Sequence, residues 1–505
     1  MKKFFKELKE LLAESKLSSV LLTAVLIATL VLLNALVYAL TNAFGLYLYS
    51  PELDDLTISG KTDALFAGVA EGDEVTIMFC MAEDDLELHD TGAYVHETVR
   101  QFEEKYSFIN VKYVNMLTHR DEDGALVDLT EYAVDMRGNE TPLRQNSVIF
   151  ISGQNYRVIT DTYSSAGFAD FFTLDSAGNA YAYNGEEVVA SMVAWVLADE
   201  HGTAYFTEKH GETADVAFSN MLSCAGYYVD VINLRDNEVP EDADLVVISN
   251  PTTDFYKIAE GTVGRSEIER LEDYLDRGGC MYVTLDPYAR RLPVLEGFLE
   301  DKGIALYGTT DENGVYTRGL VRETNNSVSM DGLSFVAEYA DSYAAGSIKG
   351  ILNAYDSGRV LMSNVAGLKL SGDAKPLLAS SASSSIVAGG DTLNSDGGYT
   401  VAAYSESRNE DGSYGRIMVV PSIFLTASDV LVSGGYSNKD FLYTAYDILF
   451  DSLSAPLGCN SVVYTTDMLE NFTMLTANIF AAVLMAIPVV LAAVGTVIII
   501  RRKNR

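Results

Sequence analysis

The chain has 505 residues, 48% of them apolar and 21% charged, and a net charge of −36. That balance is enough to build sizeable cores, predicts two to four domains, and excludes a disordered chain. So acidic a surface repels nucleic-acid phosphates and anionic membrane surfaces, which excludes both as partners of the folded middle.

Residues 1–16, MKKFFKELKELLAESK, carry five lysines and three acids and predict a basic amphipathic segment on the cytoplasmic surface. Residues 17–44 contain no charged side chain. As a helix they would rise about 42 Å, more than the roughly 30 Å hydrocarbon core requires. A second charge-free apolar stretch covers 474–500 and is followed at once by the basic tail RRKNR, 501–505. Positive residues stay inside, so a two-span, multi-pass protein of the cell membrane is expected, with both termini cytoplasmic and the middle extracytoplasmic. A cleaved signal peptide is the rival for the first stretch. The apolar run is twice the usual length, and the small-residue pattern around Ala39 and Ala43 is poor, so an uncleaved anchor is expected. Pro488 and Gly495 fall in the second span, where they are tolerated and permit a kink. Asn34 and Asn478 seek partners inside the membrane, and Ala24/Ala28 and Ala35/Ala39 let helices approach closely. Packing of the two spans on each other and docking against a multispanning partner both fit these residues. Without its basic ends the chain keeps 26 basic and 68 acidic residues, a net of −42, nearly all of it outside.

The extracytoplasmic part divides into two α/β units, 45–198 and 199–455, with a connector at 456–473. In the first, EVTIMFCM (74–81) is a strand and 91–106 a helix with Val95, Val99 and Phe102 on one face. A second strand covers 110–115, a β-rich stretch 147–159, and a helix 185–198. Strand, helix, strand implies a parallel pair. The second unit alternates more clearly, with strands at 203–207, 227–232, 243–249, 280–285 and 304–307. Helices are expected at 215–225, 266–277 and 292–302. ADLVVIS and CMYVTL are short, fully apolar runs of the buried parallel type. This is an open, mostly parallel sheet with helices on both faces. Residues 311–410 are rich in Ser, Gly and Asn and are expected to be an irregular insertion of loops and edge strands. GRIMVVP restores a buried strand, and a helix follows at 440–453.

Catalytic signatures are sparse. Gly60-Lys61-Thr62 has the end of a phosphate-binding loop, but Asp55 stands where the motif needs glycine. The five histidines, His89, His96, His119, His201 and His210, have no Cys or carboxylate pattern of metal-ligand spacing and are expected at the surface or as caps. No metal or cofactor is expected. Cys80, Cys224, Cys280 and Cys459 lie far apart; they are expected as small buried hydrophobes, with a Cys224–Cys280 disulfide as the alternative. Two places stand at the carboxyl ends of predicted strands, where open α/β sheets form ligand crevices: Lys209-His210-Gly211-Glu212 and Asp286-Pro287. A His and two carboxylates there fit acid/base chemistry or ligand binding. The structural alternative is that Gly211 allows a tight turn, Glu212 favours a helix N-terminus and Asp286 caps a loop.

KHGE (209–212), AGYYVDVINL (225–234), VPEDADLVVISNPTTDF (239–255), LEDYLDRGG (271–279) and MYVTLDPYA (281–289) come in an order that resembles one known group. GRIMVVPS, the SNKDF segment and the IP…G…RRK end fit it too. It is the family of GldG-like auxiliary components of ABC-type transport systems, associated with gliding motility. The likeness covers most of the chain and is weakest over 311–410. The family's turn usually has Gly before His, where this chain has Lys209. The resemblance implies a sheet similar to class I glutamine-amidotransferase-like domains, with no catalytic cysteine at the elbow, since Cys280 sits at a strand start. It also implies a non-enzymatic accessory subunit whose partners are a separately encoded ABC permease and ATPase, with a substrate or cell-envelope partner for the outer domain. An extracytoplasmic hydrolase using His210, Glu212 and Asp286, and a structural envelope anchor, are the alternatives.

Overall fold

Buried β-branched and aromatic runs set the strands, and turn glycines separate them. A computed structural model describes residues 56–463, apart from 161–167, 175–179, 214, 259–263, 356, 410–411 and 454. No helix among the described residues is long and apolar enough to cross a membrane. The expected spans 17–44 and 474–500, with Asn34, Asn478, Pro488 and Gly495, lie outside the described residues.

The first lobe is built on β1 (Val75–Phe79), α1 (Gly92–Lys105), β2 (Ile109–Asn115), β3 (Val148–Ser152), β4 (Asn155–Ile159) and α2 (Gly185–Leu197). Its five-stranded sheet runs Arg120–Asp121, β2, β1, β3, β4. β1 and β2 pair in parallel, as their intervening helix requires, and β3 and β4 are antiparallel neighbours. α1 lays Val95, Val99 and Phe102, all fully buried, on this sheet. The β3–β4 hairpin turns on Gly153, whose φ of +59° suits a two-residue loop.

The second lobe contains β5 (Thr203–Thr207), α3 (Val216–Cys224), β6 (Tyr228–Ile232), β7 (Leu245–Ser249), α4 (Glu267–Asp276), β8 (Cys280–Thr284), α5 (Pro293–Asp301) and β9 (Ile304–Leu306). It continues with α6 (Tyr343–Asn353), β10 (Leu368–Leu370), β11 (Lys375–Ala379), β12 (Thr400–Arg408), β13 (Tyr414–Val420) and α7 (Asn438–Phe450). The main path of its sheet is β9-β10-β12-β13-β8-β7-β5-β6. Five of these strands, β6-β5-β7-β8-β13, are mutually parallel. Their chain order within that block is 2-1-3-4-5, a doubly wound arrangement with its switch point between β5 and β7. Alternate residues of β7 and β8 feed two cores. Val246, Ile248, Met281 and Val283 join Leu271, Leu295 and Phe298 on one side. On the other, Phe206, Phe218, Tyr282 and Tyr446 form a chain of edge-to-face rings.

The segment 311–410 is more regular than expected. Among the described residues it holds a helix, α6, and four strands that join the main sheet, Glu338–Tyr339, β10, β11 and β12, with β12 paired along six residues of β13. The two lobes are stitched together. Trp195 of α2 donates its indole N–H to Gly226 O at 3.0 Å. Lys439 of α7 meets Glu187 of α2 at 2.5 Å, and Tyr443 donates to the same carboxylate. Part of the expected connector folds back as well, since Val462–Val463 pairs with Ala180–Tyr183 of the first lobe.

Candidate ligand crevice at the carboxyl edge of the sheet

β5 ends at Thr207, and the chain then turns back toward α3. Lys209 and Gly211 both take positive φ, +82° and +71°. At Gly211 a Cβ would stand 2.2 Å from Thr252 Oγ1, so the glycine is needed for both its conformation and its bareness. The turn points His210 inward, where it is fully buried. Its ring lies parallel to Phe255, with centroids 4.0 Å apart. Nδ1 is 2.8 Å from Glu212 Oε1, and Nε2 is 3.0 Å from Glu267 Oε2.

A carboxylate on each ring nitrogen selects the imidazolium, because both nitrogens must then donate. Burial works against that charge, but the two carboxylates outweigh it and push His210 up to about 9. Burial raises the two acids in turn, and the imidazolium outweighs it, so Glu212 and Glu267 sit below the usual glutamate range. Glu212 also accepts from the His210 backbone N–H, and Glu267 from the Tyr256 backbone N–H. Arg235 stands 3.6 Å from Glu267. A histidine in this state has no lone pair with which to act as a base at neutral pH. What the cluster does is clamp three segments: the turn after β5, the loop after β7 and the first residue of α4.

The loop after β7 completes the edge. Asn250 has φ of +52°, and Thr252 and Thr253 donate their backbone N–H groups to His210 O at 2.9 and 2.8 Å. Asp254 accepts from Val294 N and Leu295 N and so caps α5. Three buried side-chain oxygens, Thr207 Oγ1, Asn250 Oδ1 and Thr284 Oγ1, have no hydrogen-bond partner among the described residues. They stand at the carboxyl ends of β5, β7 and β8.

The predicted residues thus separate into two groups. His210, Gly211 and Glu212 come together, but Glu212 does not start a helix. It folds back onto His210, and Asp215 caps α3 instead by accepting from Ala217 N at 3.0 Å. Asp286 belongs to a neighbouring turn, where its carboxylate accepts from Tyr288 N and its carbonyl from Arg318. Pro287 is buried beside it. Arg290, in that turn, donates to Thr252 O at 3.1 Å, in the loop that packs on the cluster. Glu267 and Phe255 complete the clamp and were not singled out in the sequence. The Ser266–Glu269 capping box marks where α4 starts, yet nothing local says that Glu267 reaches a histidine 57 positions away.

The remaining polar candidates are structural. His89 accepts from Gly92 N at the start of α1, as a cap. His96 is not at the surface: α1 turns it onto β2, where Nε2 is 2.7 Å from Tyr113 OH. Thr62 is buried against Tyr106 OH, and Lys61 donates to Tyr355 O. All four cysteines are free and buried. Burial pushes the thiols of Cys80, Cys224 and Cys280 up to about 12 and raises Cys459 further. Among the described residues no group of three His, Cys, Asp or Glu side chains is placed to hold a metal ion.

No protein-family model matches the chain, and no curated protein matches it. Solved structures are similar over about half of it. The mmIFT52 N-terminal domain aligns with 49% of this chain and 96% of its own, at 15% identity and a TM-score of 0.35. A ThuA-like protein from Bacteroides uniformis aligns with 49% of this chain and 89% of its own, at 12% identity and a TM-score of 0.30. A ThuA-like protein from Parabacteroides merdae aligns with 52% and 98%, at 11% identity and a TM-score of 0.31. Scores this low carry no argument about this chain; its class, a doubly wound α/β domain joined to a smaller mixed-sheet lobe, rests on its own strand order.

Proposed function

We propose that the chain is a non-enzymatic accessory subunit of an ABC-type transport complex at the cell membrane. Its two-lobed domain would bind a substrate or a cell-envelope partner, and a separately encoded permease and ATPase would be its partners. One observation carries the non-enzymatic part. At the switch point, where a doubly wound sheet would hold catalytic groups, both nitrogens of His210 are occupied by Glu212 and Glu267. The cysteines are buried and protonated, which leaves no activated thiol. The transport part is supported by the ordered segments shared with GldG-like proteins and by the two charge-free apolar stretches with basic flanks. Affinity purification of the tagged full chain in mild detergent should recover an ATPase and a permease. Repeated recovery of the chain alone overturns the proposal.

A hydrolase is the second reading. Three unpartnered oxygens at the carboxyl edge, beside left-handed Lys209 and Asn250, favour it. Activity screening with His210→Ala and Asp286→Asn as controls tests it, and activity indifferent to both changes removes it.

A further inference from the structure

A cavity of about 280 Å³ opens between the lobes, away from the His210 clamp. The first lobe contributes β4 with Thr160 just beyond it, the loop carrying Asp135, Arg137 and Thr141, and α2. The second contributes Ser219, Asn220 and Ser223 of α3 and the start of β6. Two guanidinium groups border it and share one ring. Arg137 lies 4.0 Å from the Tyr228 ring centre and Arg157 4.4 Å.

Their electrostatic situations differ. Arg137 is neutralised twice, by Asp135 at 3.0 Å and Asp230 at 2.7 Å. Arg157 has no carboxylate partner among the described residues. Its Nη2 donates to Ser223 Oγ and Tyr227 O, at 3.0 and 3.1 Å, while Nη1 is shielded from solvent and has no partner among the described residues. Three other buried cations among the described residues are paired: Arg318 with Glu296, Lys439 with Glu187, and His210 with its two glutamates. Burial and the neighbouring Arg137 pull Arg157 down, to about 10, yet it stays charged at neutral pH. A buried guanidinium without a counter-ion is costly unless an anion joins it. Two carboxylates also border the cavity; Asp135 is held by Arg137 and Asn139, and Asp170 is not a free group.

We propose that this inter-lobe cavity binds a small polar ligand bearing one oxyanion, a carboxylate or a phosphate, through the guanidinium of Arg157. Nη1 is closed to solvent in this conformation, so an oxyanion reaches it once the side chains over it shift, and it then gains a charge-assisted hydrogen bond without displacing an existing one. Thr141, Ser219 and Asn220 offer hydroxyl and amide groups to the rest of the ligand. The volume lies just below the roughly 300–1,000 Å³ of small-molecule sites, which limits the ligand to a small one. The assignment does not depend on the transport reading, so copurification can fail while anion binding succeeds.

The test is thermal unfolding of the detergent-solubilised full chain titrated with inorganic phosphate, succinate or citrate, against sodium chloride at matched ionic strength. Saturable stabilisation by phosphate alone identifies a phosphate site, and by succinate or citrate alone a carboxylate site. Arg157→Met should weaken that stabilisation by about tenfold or more, the loss expected of a charge-assisted bond. If Arg157→Met does not fold, Asn220→Trp blocks the cavity from the opposite wall and should abolish the response in a folded chain. Equal stabilisation by chloride, no saturable response to any of the three anions, or an unchanged response in a folded variant overturns the proposal.

Discussion

Glu267 opens α4, yet its carboxylate lies 3.0 Å from the Nε2 of His210, which belongs to the turn after β5. That contact fixes the protonation of the histidine and the spacing of two loops at once. The fold therefore holds an ion cluster at its switch point whose strength depends on pH.

His210 is raised from its ordinary 6.5 to about 9, so its contribution to stability is fully present below pH 6.5 and is lost as pH rises toward 9. Glu212 and Glu267 are lowered, so their contributions are present above the ordinary glutamate value of 4.5 and are lost as pH falls below it. Denaturant unfolding of the wild type should weaken between pH 6.5 and 9. His210→Gln should lose about 3–5 kcal/mol at pH 6, by leaving buried carboxylates unpaired, and the gap to wild type should narrow by pH 9. A gap independent of pH would refute the imidazolium assignment.

Much of this fold is legible in the sequence, because the strands of the second lobe are short apolar runs. LVVIS and CMYVT are buried on both faces, so their composition alone marks them. Their lateral order is not legible, since pairing is a tertiary choice. The segment 311–410 hides its structure for local reasons. β12 buries Val401 through Ser405, but three of those five, Ala402, Ala403 and Ser405, carry little hydrophobic signal. α6 contains Gly346 and Gly350, which weigh against a helix. At the site, His210 and Glu212 are neighbours in sequence and were readable together, whereas Glu267 and Phe255 reach His210 only through folding.

The glycines of α6 give a direct prediction. A Cβ at Gly346 or Gly350 meets nothing within 4 Å, and neither has positive φ. Gly346→Ala and Gly350→Ala should each stabilise the chain by about 0.5–1 kcal/mol through the unfolded state. The unfolding midpoint in urea reads this, and a loss at either position would show that α6 needs its glycines for a close approach.

Glu187 and Lys439 join α2 to α7 across the lobes in a buried pair. Burial works against the ammonium, but Glu187 outweighs it and Lys439 is raised above its ordinary value. Lys439→Met should cost about 3–5 kcal/mol by stranding the carboxylate. Glu187→Met combined with Lys439→Met should recover most of that loss, despite leaving the Tyr443 hydroxyl unpaired. A double-mutant cycle by denaturant unfolding measures the coupling, and strictly additive losses would show that the pair does not tie the lobes.

Burial also governs thiol chemistry. With the four cysteines free, buried and raised, the native chain at pH 8 should show no fast reaction with a disulfide reagent. All four should react in denaturant without prior reduction. A native chain that releases fewer than four thiols on unfolding would reveal a disulfide, with Cys224 and Cys280 the first pair to check.

Lys209 offers the sharpest link between sequence and conformation. Lys209 stands immediately before His210 and Gly211, at φ +82°. A left-handed residue with a Cβ costs roughly 1–2 kcal/mol, whereas glycine adopts it freely and loses about 0.5–1 kcal/mol of that advantage to unfolded-chain entropy. Lys209→Gly should therefore raise stability by about 0.5–1 kcal/mol. Lys209→Val should lower it, because a β-branched side chain tolerates this region worst. His210 should stay protonated in both variants, since the change precedes the ring and leaves Glu212 and Glu267 in place. NMR titration of the imidazole would check that, and a His210 pKa returning toward 6.5 in the glycine variant would mean that Lys209 holds the turn in the shape the clamp needs.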